Sequence, residues 1–90
     1  MSDLIHDPAR HRFGTEVDGH EAELIYEPEE GVIAIVHTGV PPEIGGRGIA
    51  AELVKAALEF ARAAGLKVVP RCSYAAAYVK RHREYDDLLI

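Results

Sequence analysis

The pattern of apolar and polar positions before residue 39 predicts a series of β-strands. The short mixed segment 10–17 is followed by Asp18-Gly19, a dipeptide typical of a two-residue hairpin turn. In the segment 20–30 the alternation predicts a solvated face with Glu21, Glu23 and Glu27 and a buried face with Ala22, Leu24 and Tyr26. The β-branched run at 32–36 predicts the central strand of the sheet.

A helical period replaces this alternation after residue 48. Apolar residues recur every three or four positions and predict a helix that contains Ile49, Leu53, Ala56, Ala57, Phe60 and Ala64. Gly65 is a typical C-terminal cap for it. The spacing of segment 66–70 after the helix indicates a β-α-β crossover, which makes this last short strand parallel to the one at 32–38. Ser73 is a typical N-cap for a second helix that runs through about His82.

The pattern predicts a single α/β domain over residues 1–90. Its expected parts are an antiparallel N-terminal meander, a strand, a glycine-rich loop, a helix, a short parallel strand and a C-terminal helix. Apolar residues at 48% and charged residues at 28% exclude disordered and coiled-coil classes. A net charge of −5 argues against a protein that binds nucleic-acid backbones.

Cysteine and histidine usage narrows the possible sites further. The single cysteine, Cys72, excludes an internal disulfide and a cysteine-based zinc site, and it is typical of a reducing compartment. The spacing of the five histidines gives no metal-site signal, and we expect His6, His11 and His20 on the surface. No apolar run approaches the roughly 18 residues of a membrane span. We therefore expect a cytoplasmic monomer that binds neither nucleic acid nor membrane.

The segment from Gly39 to Ala50 joins the predicted central strand to the helix and is the strongest functional signal in the chain. A helix begins with unpaired backbone N–H groups and the positive end of its dipole, and glycines allow an anion to approach them. Phosphate is the natural ligand of such a junction. The loop lacks the Lys-Ser/Thr step of a nucleoside-triphosphate P-loop and is not G-x-G-x-x-G. The glycines alone are also compatible with a tight connection that binds nothing.

The sequence Gly45-Gly46-Arg47-Gly48-Ile49-Ala50 resembles the acetyl-CoA loop of the GCN5-related N-acetyltransferases, which has the form Arg/Gln-x-x-Gly-x-Gly/Ala at a strand-to-helix junction. Gly48 and Ala50 match the last two fixed positions, whereas Gly45 stands where the family has Arg or Gln. Over residues 37–88 the chain looks like a small single-domain subfamily described as acetyl-CoA-binding proteins. It differs from the larger enzymes in its N-terminal part, which lacks the helices that wall their acceptor site.

This resemblance implies that the chain binds acetyl-CoA and transfers the acetyl group to an amine that the sequence does not identify. The implied contacts of the diphosphate are Gly45, Gly46, Arg47, Gly48, Ile49 and Ala50. The pantetheine arm is expected to follow the central strand like an added strand, along Thr38, Gly39 and Val40. The basic run that begins at Lys80 either meets the 3′-phosphate of CoA or favours the C-terminal dipole of the last helix.

Acetyl transfer needs a base for the amine and a proton donor for the departing thiolate. His37 ends an apolar strand and points either to the acceptor or into the core, and Glu43 is either a base or a solvated loop residue. Cys72 lies where a helix N-terminus favours the thiolate, or it is a small buried hydrophobe. The resemblance implies a tyrosine that protonates the thiolate. Tyr78 suits this role, and Tyr74 competes for it or contacts the cofactor.

Other functions are compatible with the same residues. One is a CoA- or acyl-CoA-binding module without turnover, since the chain lacks an acceptor wall and an evident base. Another is a protein-interaction domain that uses an exposed sheet edge, with purely structural glycines. For the enzyme, direct transfer is preferred over an acetyl-Cys72 intermediate because the resembling family mostly works that way.

Overall fold

The computed structural model of the protein describes residues 4–90. Five strands form one sheet in chain order, antiparallel except for the last pair, which is parallel. The strands are β1 (Ile5–Asp7), β2 (Arg12–Val17), β3 (His20–Glu29), β4 (Val32–Gly39) and β5 (Lys67–Pro70). Helix α1 (Ile49–Ala64) connects β4 to β5, and α2 (Ser73–Arg81) follows β5. The α/β fold class and the parallel crossover predicted from the sequence are confirmed.

Residues with left-handed backbone set the tight turns. Asp18 and Gly19 have φ values of 51° and 78°, which gives the two-residue hairpin between β2 and β3 that the sequence predicts. Gly65, with φ of 72°, ends α1 as predicted, and its N–H donates to the carbonyls of Ala61 and Arg62.

Helix α1 packs on one face of the sheet and contacts β2, β3, β4 and β5. It also contacts α2 and the C-terminal segment, so it is covered on more than one side. For this reason its buried surface is wider than the predicted stripe and consists of Ile49, Leu53, Val54, Ala57, Leu58 and Ala61. Ala64, predicted in the stripe, is exposed. None of the helices in residues 4–90 is long and apolar enough to cross a membrane.

The two faces of the sheet differ in character because side chains alternate along each strand. Phe13, Leu24 and Tyr26 are buried on the face that α1 covers. Their neighbours along β2 and β3 point the other way and carry charges, among them Arg12, Glu21, Glu23 and Glu27. We call this second surface the open face.

The N-terminal strand β1 is not predicted from the sequence, and it changes the position of two features. With β1 at the edge, β4 is the fourth of five strands, and β3 is the central one. The expectation that His6 is a surface residue is wrong. Its ring stacks on Phe13 with centroids 4.1 Å apart and lies 2.6 Å from the hydroxyl of Tyr26. Burial lowers the pKa of His6.

Helix α2 ends at Arg81, in agreement with the predicted end at about His82, but its cap and the segment after it differ from the prediction. Cys72, and not Ser73, is the N-cap, because its Sγ accepts the N–H of Ala75 at 3.3 Å. A short 3-10 helix at Arg83–Leu88 follows α2 and buries Tyr85, whose hydroxyl donates to Glu59 at 2.7 Å. Burial, with the nearby Glu59 carboxylate, raises the pKa of Tyr85. These contacts fix α2 and the C-terminal segment against α1.

Candidate functional site

The pairing of β4 with β5 stops half-way along β4. The register runs from Val32 opposite Lys67 to Ile35 opposite Pro70. The N–H groups of Arg71 and Cys72 then both donate to the carbonyl of Ile35 at 2.9 Å, and the chain turns into α2. Because β4 continues to Gly39, residues 36–39 have no strand on that side within the described part of the chain. The backbone of this segment is therefore available to an extended ligand.

A bulge in β4 lies at the start of this free segment. Along β3, Ile25 pairs with His37 and the next residue, Tyr26, pairs with Ile35, so Val36 is the extra residue. The inserted residue changes which side chains face α1. Thr38, opposite Leu24, lies on the covered face, whereas His37 lies on the open face opposite Ile25.

A shallow cavity of about 260 Å³ lies where α1 and α2 begin. It is lined by Val40, Gly45, Gly46, Gly48, Ile49, Ala50 and Tyr74. Gly46 and Gly48 both have φ of 77°, a conformation that favours glycine, and Gly48 is the N-cap of α1. The cavity thus combines a glycine-lined wall with the first-turn N–H groups of a 16-residue helix. Such an arrangement attracts anions.

Most of the residues predicted to contact the cofactor meet at this cavity. All seven of the lining residues are among them, and Thr38 and Gly39 precede the cavity on the free part of β4. The two remaining predicted residues lie neither in the cavity lining nor on the free part of β4. Arg47 is paired with Asp18 of the β2–β3 turn, with Nη1 and Oδ2 2.6 Å apart. Lys80 is exposed near the other end of α2.

Cys72 lies between the free segment of β4 and the start of α2. Its Sγ is 3.3 Å from the hydroxyl oxygen of Thr38 and accepts the N–H of Ala75. The side chain is half-buried and packs against the hydrophobic core. Cys72 therefore has a structural role as a helix cap at the point where β4 and β5 part.

The two tyrosines of α2 occupy different surroundings. Tyr74 is 41% exposed and lines the cavity. Tyr78 packs away from it, with its ring stacked on His82 at a centroid distance of 4.0 Å and tilted against Tyr85. Burial raises the pKa of Tyr78. Glu43, in the loop before the cavity, is exposed and has its carboxylate 3.9 Å from His20.

His37 lies on the open face, so of the two sequence alternatives the structure excludes the core. Its side chain is 55% exposed, and its Nε2 is 3.6 Å from a carboxylate oxygen of Glu23. The other oxygen of Glu23 accepts Nε–H of Arg12 at 3.0 Å. Sequence reasoning missed Glu23 and Arg12, because these contacts join residues on three strands. Only the strand register could have indicated them.

The site thus lies in a mixed sheet whose parallel strands part beside two helix N-termini, with a glycine-lined cavity at the first helix. Residues 12–88 match the family model described as GCN5-related N-acetyl-transferase. The chain belongs to this family, which gives it an acetyl-transfer role in general terms.

Relatives and solved structures agree with this family. Protein NATD1 of Mus musculus is 40% identical over 80 residues, covering 86% of this chain and 73% of that protein. Protein NATD1 of Danio rerio is 35% identical over 90 residues, covering 94% and 82%. The solution structure of a GCN5-like protein from Staphylococcus aureus superposes with a TM-score of 0.77 at 30% identity, covering 98% of this chain and 87% of that one.

Proposed function

We propose that the protein binds acetyl-CoA at the glycine-lined cavity and transfers the acetyl group directly to an amine. The observation that carries the proposal is that the cavity opens beside the part of β4 that β5 leaves unpaired. A single ligand with an anionic diphosphate and an extended amide-bearing arm matches both features. Acetyl-CoA is such a ligand.

The diphosphate contacts are the residues that line the cavity at the start of α1. Gly45, Gly46 and Gly48 have no side chains that would separate an anion from the backbone N–H groups. Arg47, which compensates for the missing Arg or Gln of the family motif, must exchange its contact with Asp18 for the diphosphate. Both side chains of that pair are about half exposed or more, so the exchange costs little.

The pantetheine arm runs along Thr38, Gly39 and Val40. These residues belong to the free segment of β4 or directly follow it, and their backbone groups pair with the amides of the arm as a neighbouring strand would. The thioester then lies between the carboxyl ends of β4 and β5, with Thr38 and Cys72 on the covered face and His37 on the open face.

The transfer step needs a base and a proton donor on the two sides of the thioester. His37 takes the proton of the attacking amine. Tyr74 is better placed than Tyr78 to protonate the sulfur that leaves, because Tyr74 is 41% exposed in the first turn of α2, where β4 and β5 part, whereas the ring of Tyr78 is stacked on His82. Glu43 is exposed and its carboxylate lies 3.9 Å from His20, so we assign it no role in the chemistry. Cys72 acts as a helix cap, and the acetyl group passes directly to the amine.

A transfer assay tests this proposal against a binding module that carries acyl-CoA without turnover. The protein is incubated with acetyl-CoA and a panel of primary amines that contains a polyamine, a lysine peptide and a peptide with a free α-amino group. CoA release is measured by chromatography. If the protein is an enzyme, CoA release depends on the presence of one class of amine and is lost in His37→Gln. If the protein binds acetyl-CoA but no amine causes CoA release, the proposal of an enzyme is contradicted and a binding module without turnover remains.

A further inference from the structure

Two glycines flank Glu23 on the open face. Glu23 of β3 stands directly opposite Gly14 of β2 and Gly39 of β4. A Cβ on Gly14 would collide with the guanidinium of Arg12, whose Cζ would be 2.9 Å away. A Cβ on Gly39 would lie 2.9 Å from Nε2 of His37. Each glycine thus makes room for the side chain that stands two residues earlier on its own strand.

The two side chains that fill this space both contact Glu23. One oxygen of Glu23 accepts Nε–H of Arg12 at 3.0 Å, and the other is 3.6 Å from Nε2 of His37. The side chain of Arg12 is only 17% exposed, and its guanidinium has a second carboxylate contact, to Glu21 at 3.2 Å. Arg12 therefore holds Glu23 from one side while His37 lies on the other. We call these three residues the Arg12–Glu23–His37 cluster.

An ion pair that only makes the surface soluble does not need neighbouring glycines to leave space for its side chains. Glycine inside a strand weakens it, because it gives up side-chain packing and adds backbone entropy to the unfolded chain. Here both glycines of the row, Gly14 inside β2 and Gly39 at the end of β4, are positions where a side chain would displace the cluster. The cluster also ends at the one histidine that lies on the free segment of β4. These two facts connect it to the proposed thioester site.

We propose that Glu23 is a positioning residue that holds the imidazole of His37 over Gly39 for proton transfer from the acceptor amine. This inference rests on the proposed function. Nε2 of His37 lies 3.6 Å from a carboxylate oxygen of Glu23, an ion-pair distance that is longer than a hydrogen bond. In the proposed step the ring moves closer to Glu23 and donates Nε2–H to it, which keeps the lone pair of Nδ1 for the proton of the amine. The amine nitrogen bonds to the thioester carbon and the C–S bond breaks. The proton of the amine goes to Nδ1 of His37, and the sulfur takes a proton from the tyrosine.

Glu23→Met tests the contact, because methionine keeps the length of the side chain and removes the acceptor. Glu21→Met is the matched control, since Glu21 also lies on the open face and contacts Arg12 but has no contact with His37. NMR spectra record the NOEs between the imidazole protons of His37 and the Hα protons of Gly39. We expect these NOEs in the wild type and in Glu21→Met, and their loss in Glu23→Met.

Kinetics on the same three proteins show whether the position matters for transfer. With the amine that the wild type acetylates best, we expect kcat of Glu23→Met to fall about 10-fold or more, with an unchanged KM for acetyl-CoA. Glu21→Met is expected to stay within two-fold of the wild type. Glu23→Gln, which retains an acceptor oxygen, is expected to recover part of kcat.

The outcomes separate this inference from the proposed function. Retained His37–Gly39 NOEs in Glu23→Met, or lost NOEs with unchanged kcat, would overturn the role of Glu23 while leaving acetyl transfer intact. If the wild-type chain binds no acetyl-CoA or acetylates no amine, the proposed function is contradicted by the unmodified protein. The role of Glu23 in transfer is then contradicted as well.

Discussion

Substitution of Cys72 separates its structural role from a role in chemistry. Its Sγ caps α2 through the N–H of Ala75 and contacts the hydroxyl of Thr38, both at 3.3 Å. Alanine removes both interactions, whereas serine keeps an oxygen in the capping position. Serine is also among the best N-cap residues, and a thiol is a weak acceptor.

The expected magnitude follows from the cap. Loss of an N-cap side chain lowers the free energy of unfolding by about 0.5–2 kcal/mol. Because the cap here is a sulfur acceptor, we expect Cys72→Ala to lower it by about 1 kcal/mol. For a domain of this size, 1 kcal/mol corresponds to a decrease in Tm of about 4–8 °C. Cys72→Ser is expected to match or exceed the wild type in stability. If transfer is direct, Cys72→Ser also keeps its acetyl-transfer activity.

Thermal and urea unfolding followed by circular dichroism measure these differences. Ser73→Ala is the control, because Ser73 is the cap predicted from the sequence, yet it is exposed in the first turn of α2. We expect Ser73→Ala to change the free energy of unfolding by less than about 0.5 kcal/mol. A destabilised Ser73→Ala together with a fully stable Cys72→Ala would refute the assignment of the cap.

Three further predictions concern other side chains. Burial lowers the pKa of His6 below its usual 6.5, so the unfolded chain takes up the proton first and the free energy of unfolding decreases as pH falls from 7 to 5. His6→Gln should flatten this decrease in urea titrations, and an unchanged slope would show that other groups cause it. Tyr85→Phe removes the hydrogen bond to Glu59 and should cost about 1.5 kcal/mol in chemical unfolding, whereas a neutral effect would contradict the contact. Tyr74→Phe should lower kcat at least about 10-fold and Tyr78→Phe less than two-fold, and the reverse order in steady-state kinetics would return the proton donor to Tyr78.

Local sequence signals predict the elements that depend on local chemistry. Asp18-Gly19 supplies the positive φ values of the hairpin, and Gly65 supplies the left-handed cap of α1. The helical period and the crossover rule then predict α1 and its parallel neighbour β5. The glycine-rich junction alone is compatible with an anion site or with a tight connection, and it is the resemblance to the acetyltransferases that implies the contacts, among which are all the residues around the cavity.

Features that depend on pairing between distant residues are not predicted. Strand β1 has three residues, too few to show a pattern. Its pairing with β2 partly buries His6 against Phe13, whereas the sequence alone predicts a surface residue. The bulge at Val36 is visible only when β3 and β4 are paired, and it decides that His37 faces the open side. In the sequence, Glu23 occupies the same alternating pattern as a solvated glutamate. Only the register of the strands shows that it lies beside His37.

The measurement that tests the central claim most directly is a calorimetric titration with acetyl-CoA and with CoA. Gly48→Glu places a carboxylate at the cavity, and at roughly 5 Å from a phosphate charge the repulsion is about 3 kcal/mol, or about 100-fold in Kd. Gly31→Glu is the matched control: Gly31 also has a positive φ, 72°, and open space around it, but lies at the other end of β4. We expect saturable binding in the wild type and in Gly31→Glu, and its loss in Gly48→Glu. Equal binding by all three proteins would place the site elsewhere, and no binding by the wild type would contradict the account.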